Sequence, residues 1–233
     1  MNLATKSGSE LSPQQGAAHT AKRRSCPRCL RPQSTCICHW IAAINPQVDV
    51  VILQHPLEVQ NAKGSARLLH LSLAGSQICI GEKFEESLLK SLVDVPGKRS
   101  VLLYPDTPQQ EGVGVMPAPV LDAALLTQPD KIRLIVLDGT WRKSRKILYL
   151  NPLLQALPRL PLRDTATSLY RIRKAHKPDQ LSSLEATCYA LMMLENTVEK
   201  YQPLLDTFDG FVSQQEALKA SHYSACDPGV NKP

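Results

Sequence analysis

The sequence predicts an α/β domain, a mostly parallel sheet flanked by helices, preceded by a small cysteine-bearing knuckle. Three observations point there. Short runs rich in Val, Ile and Leu alternate with helix-like stretches in a βαβα order. Three of the four main apolar runs lack polar alternation, as strands covered on both faces require. Four cysteines crowd into the thirteen residues from Cys26 to Cys38. The expected division is a disordered tail over 1–24, a knuckle over 25–40, the α/β domain over 41–220 and a flexible end over 221–233.

The tail is rich in Ser, Gln, Ala and Thr, ends in Lys22, Arg23 and Arg24, and has no sustained apolar period. The knuckle has the spacing Cys26-x2-Cys29-x6-Cys36-x-Cys38. A tight turn presents the first pair and an extended segment returns the second, which suits four thiolates around one tetrahedral zinc ion. Free thiols or a redox pair are the alternatives, although so dense a set has few other uses. His39 reads as a bystander. A four-sulfur site is coordinatively closed, so it folds a segment but activates no water, and catalysis must lie elsewhere.

Strands are expected at Val48 to Gln54, Gln77 to Ile80, Val101 to Tyr104 and Leu134 to Leu137. Helices bounded by Gly or Pro are expected at about Lys63 to Leu71, Lys83 to Leu92, Val120 to Leu126 and Trp141 to Leu150. The strongest helical pattern runs from Leu181 to about Lys200, with Leu184, Cys188, Leu191, Met192, Leu194 and Val198 on one apolar face. A last helix should cover about Leu204 to Ala220. With 233 residues and 43% apolar content the chain has enough material for one substantial core.

Lys and Arg outnumber Asp and Glu by 27 to 21, a modest excess that suits a polyanionic partner and many other proteins as well. No apolar run approaches the roughly 20 residues of a membrane span, and the start of the chain lacks the basic-then-apolar pattern of a secretion signal. The protein is therefore expected in the cytoplasm, away from membranes, and no feature requires an obligate protein partner. Seven cysteines, four of them clustered, fit metal use in a reducing compartment better than a disulfide framework.

The run Leu134-Ile-Val-Leu137-Asp138-Gly139-Thr140-Trp141 sets a carboxylate at the carboxyl end of an apolar strand, before a glycine and a helix start. Ligands of open α/β sheets bind at that edge. The plainer possibility is that Asp138 or Thr140 caps the helix and Trp141 packs in the core. Ser182-Ser-Leu-Glu185 reads as a capping box, which is the favoured role of Glu185. His55, ending a strand before Pro56, reads as a hydrogen-bonded structural residue.

Asp138-Gly-Thr-Trp141, with the upstream cysteines, resembles the DTW-domain family of tRNA-uridine aminocarboxypropyltransferases. His55-Pro-Leu-Glu58, Lys63-Gly-Ser-Ala-Arg67, Tyr104-Pro105, Tyr170-Arg-Ile-Arg173 and Ser183-Leu-Glu185-Ala186 follow as further landmarks, so the resemblance spans about Cys26 to Thr197. Lys63 to Ala66 depart from the Asn-Thr-Gly that some relatives carry there. The resemblance implies transfer of the 3-amino-3-carboxypropyl group of S-adenosylmethionine to N3 of a tRNA uridine, with methylthioadenosine released. It also implies a SPOUT-like fold whose C-terminal part is knotted, a rare exception to unknotted topology.

For that chemistry Asp138 is the expected catalytic residue, as base toward the uridine N3 proton or as partner of the sulfonium cation. Leu137, Gly139, Thr140, Trp141, Ser182, Ser183 and Leu184 are expected to line the S-adenosylmethionine pocket, whose shape decides which carbon is transferred. Uridine N3 lies on the pairing edge, so the base must be unpaired and turned into the site. Arg142, Lys143 and Arg145, with Lys146, and Arg171, Arg173 and Lys174, with His176 and Lys177, are expected to hold phosphates of the tRNA. Solvated surface charge is the alternative for about half of them. An aromatic content of 5% argues against a broad stacking surface. The competing functions are an RNA methyltransferase using the same co-substrate and a non-catalytic, zinc-dependent RNA-binding protein.

Overall fold

The structure is a computed structural model that describes residues 24–106, 118–162, 168 and 181–225, the side chains of 221–225 excepted. Five strands, β1 (Asp49–Gln54), β2 (Gln77–Ile80), β3 (Arg99–Leu103), β4 (Ile132–Asp138) and β5 (Arg159–Leu160), form one parallel sheet in the order β2-β1-β4-β3-β5. The helices are α1 (Ala66–Ser72), α2 (Glu86–Val93), α3 (Trp141–Leu150), α4 (Pro152–Gln155), α5 (Ser183–Glu195) and α6 (Gln202–Ala225).

The unalternating strand sequences follow from burial on both faces. Val50, Ile52, Leu134 and Val136 point to one side, into a cluster shared with α1, α5, α6 and the cysteine segment. Val51, Leu53, Ile135 and Leu137 point to the other, against residues of α2, α3 and α4. The knuckle is thus part of the first core: Cys26, Cys29 and Ile37 share it with Phe208 and Phe211 of α6. Trp40 donates its indole N–H to Gln214 Oε1 at 2.8 Å, and a Cβ on Gly210 would overlap its ring, so glycine is what lets the indole lie against α6.

The four expected strands and the expected helices are present, with shifted ends and one change of type. The stretch Val120 to Leu126 is a 3-10 turn over Ala123–Thr127, capped by Asp122, which accepts from the Ala124 amide at 2.9 Å. Pro129 follows within two residues, and a proline there has no N–H with which to continue an α-helix. The helix expected to reach Lys200 stops at Glu195, because Asn196 adopts the left-handed conformation (φ 48°) and closes it. Val198, expected on its apolar face, is exposed. The two-residue β5 and the single turn of α4 have no sequence period long enough to show. The tail over 1–23, and the C-terminal end beyond 225, lie outside the described residues. Among the described residues no helix is long and apolar enough to cross a membrane.

Candidate active site and metal centre

The order of strands creates the crevice. From β1 the chain passes through α1 to β2 at one edge of the sheet, whereas from β4 it passes through α3 and α4 to β5 at the other. The connections leaving the neighbours β1 and β4 therefore diverge at their carboxyl ends, the place where open α/β sheets take ligands. Register sets the side chains there. Gln54 is the direct partner of Asp138, and partners in a parallel ladder point to the same face.

Asp138 is only 6% exposed. Its Oδ2 accepts from Gln54 Nε2 at 2.9 Å, and its Oδ1 accepts from the Ser183 hydroxyl at 2.7 Å. Ser183 is the first residue of α5, which covers this face. Donors on both oxygens fix the plane of the carboxylate. Gln54 was not expected in the site. The signal was there, since it is a polar residue closing the otherwise apolar Val50 to Leu53, but only pairing with β4 gives it a role.

The chain leaving β1 is tied to the same point. The His55 amide donates to the Asp138 carbonyl at 3.0 Å. His55 Nδ1 accepts from the Leu57 amide at 3.1 Å, so the ring proton sits on Nε2 and is donated to Glu82 Oε1 at 2.7 Å. Lys146, and then His55, hold the Glu82 carboxyl below its usual range. This is the structural role expected of His55. Glu58, 6% exposed, accepts from Lys143 Nζ at 2.8 Å and from Asn61 Nδ2 at 2.7 Å. The ammonium of Lys143, expected on a phosphate, is therefore paired within the fold, as Lys146 is with Glu82 at 2.9 Å. Arg142 and Arg145 are exposed on α3.

Gly139 is needed by close packing: a Cβ there would lie 3.0 Å from Lys143 Cβ and 3.6 Å from His55 Cβ. Thr140 caps α3, accepting from the Lys143 amide at 3.4 Å. Trp141, first residue of α3, is 45% exposed instead of buried and stacks on Tyr104, with centroids 5.1 Å apart and planes 16° from parallel. Leu184 is fully buried and Leu137 nearly so, so their side chains belong to the core. Ser182 and Glu185 form the expected capping box: Ser182 Oγ accepts from the Glu185 amide at 3.1 Å, and Glu185 Oε2 accepts from the Ser182 amide at 2.7 Å. Glu185 also accepts from the Ser168 hydroxyl at 2.8 Å. Arg171, Arg173, Lys174, His176 and Lys177 lie outside the described residues.

In the knuckle the Sγ atoms of Cys26, Cys29, Cys36 and Cys38 all lie within 4.8 Å of one another. Cys26 and Cys38 are 3.6 Å apart, and Cys29 and Cys36 3.7 Å. A tetrahedron with Zn–S near 2.3 Å has edges of about 3.8 Å, so the cluster fits one zinc ion closely. The amides of Cys29 and Arg28 hold the Cys26 thiol down at about 6, while burial pushes Cys38 up to about 12. The turn is then fastened to the loop after β1. Arg31 donates to the carbonyls of Ala62 at 2.7 Å and Gly64 at 3.1 Å, and Arg67 Nη2 donates to the Arg28 carbonyl at 2.9 Å. Replacing Arg31 with Ala is expected to speed amide exchange in 61–64 with bound zinc unchanged, measured by hydrogen-exchange mass spectrometry and elemental analysis.

A parallel sheet with a pinned carboxylate at its switch point, preceded by four clustered cysteines that fit one zinc ion, defines an α/β domain with a candidate metal centre. A family model described as the DTW domain matches residues 23–216. The chain belongs to the DTW-domain family. It is 31% identical over 202 residues to a tRNA-uridine aminocarboxypropyltransferase 2 of Macaca fascicularis, covering 84% of this chain and 65% of that one. The protein of the same name in Mus musculus is 30% identical over 76% of this chain and 58% of its own length. The one in Drosophila melanogaster is 30% identical over 79% and 72%. The chain thus spans about three-fifths of the length of the two mammalian relatives. No solved structure matches it.

Proposed function

We propose that this protein transfers the 3-amino-3-carboxypropyl group of S-adenosylmethionine to N3 of a uridine in tRNA, releasing methylthioadenosine. The carrying observation is the Asp138 carboxylate, held at the switch point by Gln54 and Ser183 in a chain whose relatives are named tRNA-uridine aminocarboxypropyltransferases. Uridine N3 is a poor nucleophile while it holds its proton. Asp138 takes that proton; the freed N3 pair forms the new C–N bond, and the electrons of the broken C–S bond return to sulfur, whose positive charge is lost. An ionised carboxylate at this place both accepts the proton and favours the cationic sulfonium before transfer.

In this reading Gly139, Thr140 and Trp141 line the co-substrate pocket with Ser182 and Ser183, while Arg142 and Arg145 meet tRNA phosphates together with Arg171, Arg173 and Lys174. Zinc on the four cysteines supplies no chemistry to the transfer and holds the knuckle that helps place the tRNA. A SPOUT-like knot in the C-terminal part belongs to the same proposal; most of the connection from β5 to α5 lies outside the described residues. The working compartment is the cytoplasm.

The test is incubation of the purified protein with S-adenosylmethionine and tRNA, followed by nucleoside and by-product analysis. Methylthioadenosine and an aminocarboxypropylated uridine are expected. Adenosylhomocysteine would replace this reading with a methyltransferase. Ser183→Ala should lower kcat by on the order of 10- to 100-fold, the value of a hydrogen bond to a charged group, with KM for tRNA little changed, because the hydroxyl orients the carboxylate rather than binding RNA.

A further inference from the structure

The knuckle and the connection from β1 to β2 are the most one-sided parts of the chain in charge. No Asp or Glu occurs from Arg24 to Val48 or from Val59 to Gly81, although the chain has 21 of them. The same two stretches carry Arg24, Arg28, Arg31, Lys63 and Arg67. The fold then gathers these cations. Arg67 Nη2 donates to the Arg28 carbonyl at 2.9 Å, and Arg31 donates to the carbonyls of Ala62 and Gly64, on either side of Lys63. The Arg24 carbonyl accepts from the Gln33 amide at 3.0 Å, which joins Arg24 to the same turn.

Each of these contacts uses a main-chain carbonyl, which fastens the segments and neutralises no charge. Arg24, Arg28 and Lys63 are exposed, and Arg67 is half-buried, its Nε without a hydrogen-bond partner among the described residues. Burial, and then the Arg67 charge, hold the His70 imidazole below its usual range. Crowding like charges works against the compact state. Four thiolates on zinc would leave a net negative charge that offsets part of this crowding, and the exposed guanidinium groups remain in excess. The other element packed on the knuckle, through Trp40 and the Cys36 carbonyl, is α6 with Asp206, Asp209 and Glu216, so the positive face is the one shared with α1.

Leu30 stands between Arg28 and Arg31 at the turn, its amide donating to the Cys26 carbonyl at 2.9 Å. Its φ is 61°, the left-handed conformation that glycine adopts without strain, and it is 65% exposed. Neither burial nor backbone ease accounts for a leucine there. Arginines around an apolar tip match the backbone of a folded RNA, where guanidinium groups bind phosphates two-pronged and recognition goes by shape.

We propose that Arg24, Arg28 and Arg67, together with Leu30, form a docking surface for the sugar-phosphate backbone of a folded RNA. The inference rests on the transferase reading for its partner, a tRNA, and gives the enzyme a grip on the body of that RNA apart from the target uridine. Arg31 fixes the surface to the loop that carries Glu58, and Glu58 holds Lys143 of α3, so RNA docked there keeps a set position relative to Asp138.

The experiment follows binding of labelled, unmodified tRNA to the full-length, zinc-loaded protein by fluorescence anisotropy over a series of salt concentrations. Arg24→Gln combined with Arg28→Gln leaves every main-chain contact named above in place, and elemental analysis with a thermal melt checks the fold. This double variant should bind about 10-fold more weakly at low salt and reduce the slope of log affinity against log salt by about 1 for each lost cation. The corresponding pair of Arg→Lys changes should keep the slope. Leu30→Gly should weaken binding at an unchanged slope without lowering the melting temperature, the reverse of what a core leucine would do. The proposal is overturned if the double glutamine variant keeps the wild-type affinity and slope. Loss of poly-L-glutamate binding in that variant, with tRNA binding intact, would overturn it in favour of an acidic protein partner. A reduced slope in a protein that transfers nothing from S-adenosylmethionine keeps the surface and removes the assigned reaction. Transfer with unaltered tRNA binding in the double variant does the opposite.

Discussion

Asp138→Asn is expected to lower kcat/KM for transfer by about 10²–10⁴-fold, the usual contribution of a positioned general base, while the protein remains folded. The folded state should survive because the exchange is isosteric. The oxygen of the introduced amide still accepts from Ser183, and the Gln54 amide, turned over, presents its own oxygen to the new NH2 group in place of the 2.9 Å bond it now donates. Asp138→Ala is the harsher change, since it leaves the Gln54 amide in a buried position without its acceptor. Single-turnover assays with saturating tRNA, beside a thermal melt of each variant, separate chemistry from stability. Near-normal turnover of Asp138→Asn would remove Asp138 from the reaction.

Replacing Cys26 or Cys36 with Ser should abolish stoichiometric zinc and lower the melting temperature by on the order of 10 °C. Structural zinc contributes roughly 10–16 kcal/mol of apparent binding free energy in small zinc-finger peptides, against a typical net stability of about 5–15 kcal/mol for a domain. For a chain of this size each kcal/mol lost moves the midpoint by about 2–4 °C, so even a fraction of the metal's contribution is a visible shift. The effect should not stay local. Cys26 and Cys29 lie in the same apolar cluster as Phe208 and Phe211 of α6, and Arg31 ties the turn to the loop that carries Glu58. Elemental analysis of each variant gives the check, and one zinc per chain retained in Cys26→Ser would rule out the four-sulfur site.

Much of this was readable before the structure. The cysteine spacing is local, so a segment of thirteen residues reveals its own cluster of four sulfurs. The strands announced themselves because burial on both faces leaves uninterrupted Val, Ile and Leu, and α3 was legible because Gly139 and Pro152 bound its ends. The capping box at Ser182 and Glu185 was likewise a local pattern. Where local signals were short, reading failed: Ala123–Thr127 is a 3-10 turn, and β5 owes its two residues to pairing with β3 rather than to its own sequence.

The sequence by itself determined the class of fold, the four clustered cysteines and the carboxylate at a strand end, since each is written in residues close together along the chain. The tertiary structure alone decided what surrounds Asp138. Gln54 and Ser183 lie 84 and 45 positions away, and they meet the carboxylate because β1 pairs with β4 in one register and α5 returns over that face. It also decided that Lys143 pairs with Glu58 instead of standing free, and that Trp141 lies open on Tyr104 instead of buried. Such contacts depend on strand order and helix placement, which are set by burial across the whole core and leave no mark in any short stretch of sequence.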